Sequence, residues 1–90
     1  MPGRLNLWLR GLPDPLSMTK VGNSYEAGFG IRQDYGEAIR WYKKSADRGD
    51  ADAMRQLGRL YESGRGVSKN AVEAQQWYTR AARQQADPSQ

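Results

Sequence analysis

A period of 36 residues constrains this chain more than anything else in it. The stretch GRLYESGRGVSKNAVEAQQWY at 58–78 repeats GNSYEAGFGIRQDYGEAIRWY at 22–42, mark for mark. Of the 27 aligned pairs that join 21–47 to 57–83, ten are identical: Gly22/Gly58, Tyr25/Tyr61, Glu26/Glu62, Gly28/Gly64, Gly30/Gly66, Glu37/Glu73, Ala38/Ala74, Trp41/Trp77, Tyr42/Tyr78 and Ala46/Ala82. The identities fall on glycines, aromatics and small residues, which set backbone geometry and packing, while most charges drift. A recurrence of this length marks stacked supersecondary units, each unable to bury its apolar face alone.

Within each unit the apolar spacing is helical, and the punctuation is that of two antiparallel helices. Asp14 is placed as an N-cap and Pro15 at the first helical position, where a missing N–H costs nothing. A helix from about 15 to 27 follows, with Met18, Val21, Gly22 and Tyr25 inward. Gly28 is its expected left-handed terminator, the Gly28–Gly30 turn comes next, and Ile31 is expected to fold back as an apolar anchor. Asp34 and Glu37 have the spacing of a reciprocal capping box. The helix they open is expected to reach about Arg48, with Ala38, Trp41, Tyr42 and Ser45 or Ala46 on its packed side. Asp50 then caps a third helix over 51–63, with Ala53, Met54, Leu57, Leu60 and Tyr61 apolar. Gly64–Gly66, Val67, Asn70 and Glu73 repeat the turn, the anchor and the box. A fourth helix to about Gln84 uses Ala71, Ala74, Trp77, Tyr78, Ala81 and Ala82. The expected organisation is an N-terminal amphipathic cap at 1–13, unit one at 14–49, unit two at 50–85, and a disordered tail at 86–90. In the cap, Leu5, Trp8, Leu9 and Leu12 lie at i, i+3, i+4 and i+7.

Composition removes several classes of function. The chain has no Cys and no His, so disulfides, thiolate metal sites, a Cys nucleophile and the commonest general base are absent. Net charge is +4 without a block of like charges, which makes nucleic acid an unlikely partner. The apolar run after Arg4 is too short for a signal segment or a membrane span, so cytoplasmic residence is the expectation.

The pattern L-G-x-x-Y-x-x-G-x-G-V followed by D-x-x-x-A-x-x-W-Y resembles the Sel1-like repeat, a relative of the tetratricopeptide repeat. Unit two carries it at Leu57, Gly58, Tyr61, Gly64, Gly66, Val67, Ala74, Trp77, Tyr78 and Ala82, with Asn70 in place of Asp. Unit one carries it at Gly22, Tyr25, Gly28, Gly30, Asp34, Ala38, Trp41, Tyr42 and Ala46, with Val21 for Leu and Ile31 for Val. The resemblance implies an all-α, α/α superhelical solenoid whose first helices line a concave surface that holds other proteins. It implies an adaptor or scaffold, or a regulator or toxin-neutralising inhibitor of the same fold. A self-assembling unit that stacks through exposed solenoid ends remains an alternative, and a nucleic-acid or anionic-surface binder a weaker one.

The recurrence of Trp41, Tyr42, Trp77 and Tyr78 at helical spacing assigns the tryptophans to the core rather than to a base- or sugar-stacking platform. The Gly-x-Gly pairs follow a helix and lack the Lys-Ser/Thr of a phosphate loop, which leaves them as turns. Outward positions on the first helices are then the candidates for partner binding: Thr19, Asn23 and Glu26 in unit one, and Asp52, Arg55, Gln56, Arg59 and Glu62 in unit two, with Lys20 beside the first set. Asp52, Arg55, Arg59 and Glu62 lie three or four apart, so a self-paired solvated stripe is the competing account. No nucleophile or metal ligand sits beside Glu26 or Glu62. Neither an enzyme nor a cofactor is expected.

Overall fold

The structure, a computed structural model, describes residues 14–86. The expected cap at 1–13 and residues 87–90 of the expected tail lie outside the described residues, while Ala86, expected in that tail, is helical. Four α-helices are present among those described: α1 (Pro15–Ala27), α2 (Tyr35–Asp47), α3 (Ala51–Ser63) and α4 (Ala71–Ala86). Helix α1 packs on α2 and α3 on α4, and the α2–α3 contact joins the two hairpins.

Each helix begins where a short polar side chain takes up an orphan amide. Ser17 N donates to Asp14 Oδ1 at 2.8 Å and Glu37 N to Asp34 Oδ1 at 3.1 Å. Ala53 N donates to Asp50 Oδ2 at 3.3 Å and Glu73 N to Asn70 Oδ1 at 3.0 Å. Such caps contribute about 1 kcal/mol each. The first helix of each unit ends at a left-handed glycine, Gly28 (φ 79°) or Gly64 (φ 74°), whose N–H bonds back to Ser24 O or Leu60 O. A side chain there would meet the steric penalty that glycine escapes.

The reciprocal half of the expected capping box is replaced by a different bond. The N–H of Asp34 donates to Tyr25 O at 2.8 Å, and that of Asn70 to Tyr61 O at 2.9 Å. The tight turn carries the end of the first helix over the start of the second, so a backbone carbonyl satisfies the amide before a glutamate can. Glu37 instead lies 3.7 Å from Arg40.

One apolar cluster runs through both units: Ala38, Ile39, Tyr42, Ala46, Ala53, Met54, Leu57, Leu60, Trp77 and Ala81. Tyr42, Leu57 and Leu60 are fully buried within it. The hairpins close tightly because α1 and α3 present a glycine to the facing tyrosine. A Cβ on Gly22 would stand 2.6 Å from Tyr42 Cε1, and one on Gly58 would stand 2.6 Å from Tyr78 Cε1. This close approach accounts for glycine in the middle of a helix, where it otherwise costs about 1 kcal/mol.

Equivalent positions differ in burial, and several expectations need correction. Trp77 is 7% exposed and joins the cluster, whereas Trp41 is only half-buried, with Lys44 Nζ 4.9 Å from its ring. Val67 packs against the core, but its counterpart Ile31 is exposed. Ala71 and Ala82, expected inward, are exposed, whereas Ala46 is buried. The reason lies in what each unit has beside it. The turn of unit two rests on α2, so that a Cβ on Gly66 would meet Tyr35 Cβ at 2.6 Å, while Gly30 has open space around it. Unit two is thus packed on its unit-one side, and the corresponding side of unit one has no such neighbour among the described residues. Ile39, which the pattern left out, is 5% exposed at this joint.

Candidate functional site

The exposed polar faces of α1 and α3 are bridged by side chains. The cross-link is a charged pair between units: Arg59 Nη2 donates to Glu26 Oε2 at 2.6 Å. The same guanidinium holds Gln56 Oε1, with Nε at 3.1 Å. Behind Glu26, the hydroxyl of Tyr42 lies 2.6 Å from Glu26 Oε1 and 2.7 Å from Asn23 Oδ1. Burial, followed by the carboxylate it donates to, pushes the Tyr42 hydroxyl well above the ordinary tyrosine value of 10.0. A phenol that stays protonated is a permanent donor, so it orients the Glu26 carboxylate toward Arg59.

Unit two repeats half of this arrangement. Tyr78 donates to Glu62 Oε1 at 2.8 Å. Burial and the adjoining Glu62 carboxylate raise its hydroxyl in the same direction. Glu62 is exposed, and among the described residues no cation lies within ion-pair distance of it.

Of the candidates on these faces, Asn23, Asp52, Arg59 and Glu62 are exposed and Glu26, Arg55 and Gln56 are half-buried. Asp52 and Arg55 pair with one another across one helical turn, as the self-paired account expected. Arg59 does not join that stripe, because its partner is on the other unit. Thr19 requires correction. It is 3% exposed rather than outward, donates to Asp50 Oδ2 and lies 2.6 Å from Ser45 Oγ. Ser45 in turn donates to Pro15 O at 2.7 Å. These hydroxyls tie the start of α1, the end of α2 and the cap of α3 into one joint, so Asp50 serves both as an N-cap and as the anchor between units. Helical periodicity placed Thr19 on the outer face because it cannot register a neighbour 26 or 31 residues away.

The two equivalent tyrosine hydroxyls differ in how far they are open to a ligand. Tyr42 is fully buried and committed to Glu26 and Asn23; only Tyr78 remains half-exposed. Ala71, Val72, Gln75, Thr79, Arg80 and Arg83 line a shallow groove on the outer side of α4. Among the described residues no group of three or more His, Cys, Asp or Glu side chains could hold a metal ion. No helix among them is long and apolar enough to cross a membrane.

The family described as Sel1 repeat matches residues 15–50 and 51–85, one match for each hairpin. Among solved structures, a Sel1 repeat protein from Oxalobacter formigenes is 43% identical, with a TM-score of 0.76 over 78% of this chain and 29% of that one. A protective antigen present in uropathogenic Escherichia coli strains, displaying an SLR fold, is 37% identical, with a TM-score of 0.76 over 81% of this chain and 16% of that one. The chain therefore spans less than a third of either protein. No curated protein matches it.

Proposed function

This chain belongs to the Sel1 repeat family, and on that premise we propose that it is a non-catalytic adaptor module that holds a polypeptide partner on the concave face formed by α1 and α3. Sel1 repeats generally mediate protein interactions, and the fold is that of a non-catalytic scaffold family. The observation that carries the reading is the division of labour on these two helices. Met18, Gly22, Ala53, Met54, Leu57, Gly58 and Leu60 are spent on packing, and Lys20, Asn23, Asp52, Arg55 and Gln56 form the polar strip left over. The Glu26–Arg59 pair joins the halves of that strip across the unit boundary, which limits the ordering cost on binding.

The test is affinity capture from native lysate with the wild-type chain and a Lys20→Glu/Arg55→Glu variant. Neither residue bridges the units, so far-UV circular dichroism should be unchanged. A partner held by the wild type and released by the variant supports this face. A partner held equally by both refutes it and moves the site elsewhere on the molecule.

A further inference from the structure

The internal repeat supplies its own template for a second contact. In unit one, a buried tyrosine hydroxyl fixes a glutamate, and the outer oxygen of that glutamate takes a guanidinium from the next helix along the array. In unit two, Tyr78 and Glu62 occupy the same positions, 36 residues on, with the same hydrogen bond at 2.8 Å. Arg59, three residues before Glu62 on α3, is held by Glu26 and Gln56 and makes no ion pair with Glu62. Glu62 therefore presents an oriented, exposed carboxylate in the geometry that accepts an arginine one unit earlier.

We infer that the Glu62–Tyr78 pair is a receptor for an arginine side chain carried on a helix of the bound partner, an inference that rests on the protein-interaction reading above. The ligand chemistry follows from the filled copy. There the cation is a guanidinium whose Nη2 meets the carboxylate while Nε and Nη2 also hold Gln56 Oε1 on its own helix, a set of donors fixed in one plane that an ammonium does not offer. A second copy of this chain is a poor occupant. Stacked in register, it would bring Asn23 to the place of Arg59, and Gln75 replaces the Ile39 on which such stacking packs within the chain.

The probe is a fluorescein-labelled peptide of residues 51–63, whose arginine at position 59 is already shown to fit a site of this design. It is titrated against the full chain by fluorescence anisotropy, beside versions carrying Arg59→Gln and Arg59→Lys. Ordering the short peptide weakens all three alike, so the ratio of their affinities is the readout. The arginine peptide should bind about two- to fivefold more tightly than the glutamine peptide, as an exposed but oriented ion pair gives. The lysine peptide should fall between them. Glu62→Gln, which keeps an acceptor for Tyr78, should abolish the preference. Tyr78→Phe should reduce it. Equal binding of the three peptides, a preference that survives Glu62→Gln, or no saturable binding below about 1 mM each overturns the inference. A Glu62-dependent dimer in sedimentation would overturn it in favour of a second copy. The outcome is separable from that of the adaptor reading, because Lys20 and Arg55 lie outside this contact and partner capture through them can succeed when the peptide preference fails.

Discussion

Replacing Gly22 by alanine should destabilise this protein, although the substitution puts the best helix former into the middle of a helix. In an open helix, the change gains about 1 kcal/mol. Here the new Cβ would stand 2.6 Å from Tyr42 Cε1 and 2.7 Å from Cδ1, against a comfortable carbon–carbon separation of about 3.5–4.0 Å. The ring must therefore retreat by about 1 Å. It is fully buried, and its hydroxyl is tethered to both Glu26 and Asn23, so movement strains packing and hydrogen bonds together. Overpacking of a filled core costs about 1–3 kcal/mol, and the net loss should be about 1–2 kcal/mol after the helix gain. Gly58→Ala is the internal control. Its Cβ would be equally close to the Tyr78 ring, at 2.6 Å, but that ring is half-exposed and has one hydroxyl partner, so it can swing outward. Its net effect should be smaller by about 1 kcal/mol. Urea unfolding followed by far-UV circular dichroism measures both, with a shift of midpoint at constant slope expected. Gly22→Ala at or above wild-type stability, or Gly58→Ala as costly as Gly22→Ala, would refute the reasoning.

Three further outcomes follow from the same coordinates. Trp77→Ala should cost about 3–5 kcal/mol and Trp41→Ala less than half of that, because only Trp77 is enclosed by the cluster; equal losses in urea melts would contradict the asymmetry. Ser45→Ala should cost about 1–3 kcal/mol, since it removes the buried hydroxyl that donates to Pro15 O inside the joint, and an unchanged melting temperature would show the joint to be dispensable. The raised Tyr42 hydroxyl has a defined sign: its stabilisation is complete below the ordinary tyrosine value of 10.0 and is lost as pH climbs past it toward the folded-state value. Stability should then fall by up to about 1.4 kcal/mol per pH unit above that point, and Tyr42→Phe should flatten the decline; a slope unaffected by the substitution would remove Tyr42 as its source.

Much of the fold was legible because its determinants are local. Asp14, Asp34, Asp50 and Asn70 cap helices whose amides lie three residues away, and Gly28 and Gly64 end helices through a backbone preference of their own. The period of 36 then makes the two hairpins the same object twice, which leaves little choice of architecture. The candidate strip was legible only in part. Periodicity selects a helical face, and most of the chosen residues do lie on it, but Thr19 sits at the edge of that face and is claimed by the next unit.

By itself the sequence determined the unit: where each helix starts and stops, and the turn between them. Tertiary structure alone decided which copy of each repeated residue is buried and which charges meet. Trp41 and Trp77, Ile31 and Val67, and Ala46 and Ala82 have the same local preferences and different surroundings. Arg59 could as well have paired along its own helix, where such contacts are worth only a few tenths of a kcal/mol. It reaches instead to an oriented Glu26 on the neighbouring unit, while Glu62, with the same hydrogen bond behind it, is left facing solvent. The physical reason is range. Caps and turns act over a few residues and recur with the sequence, whereas burial and ion pairing depend on what is packed alongside, and that differs between the two units.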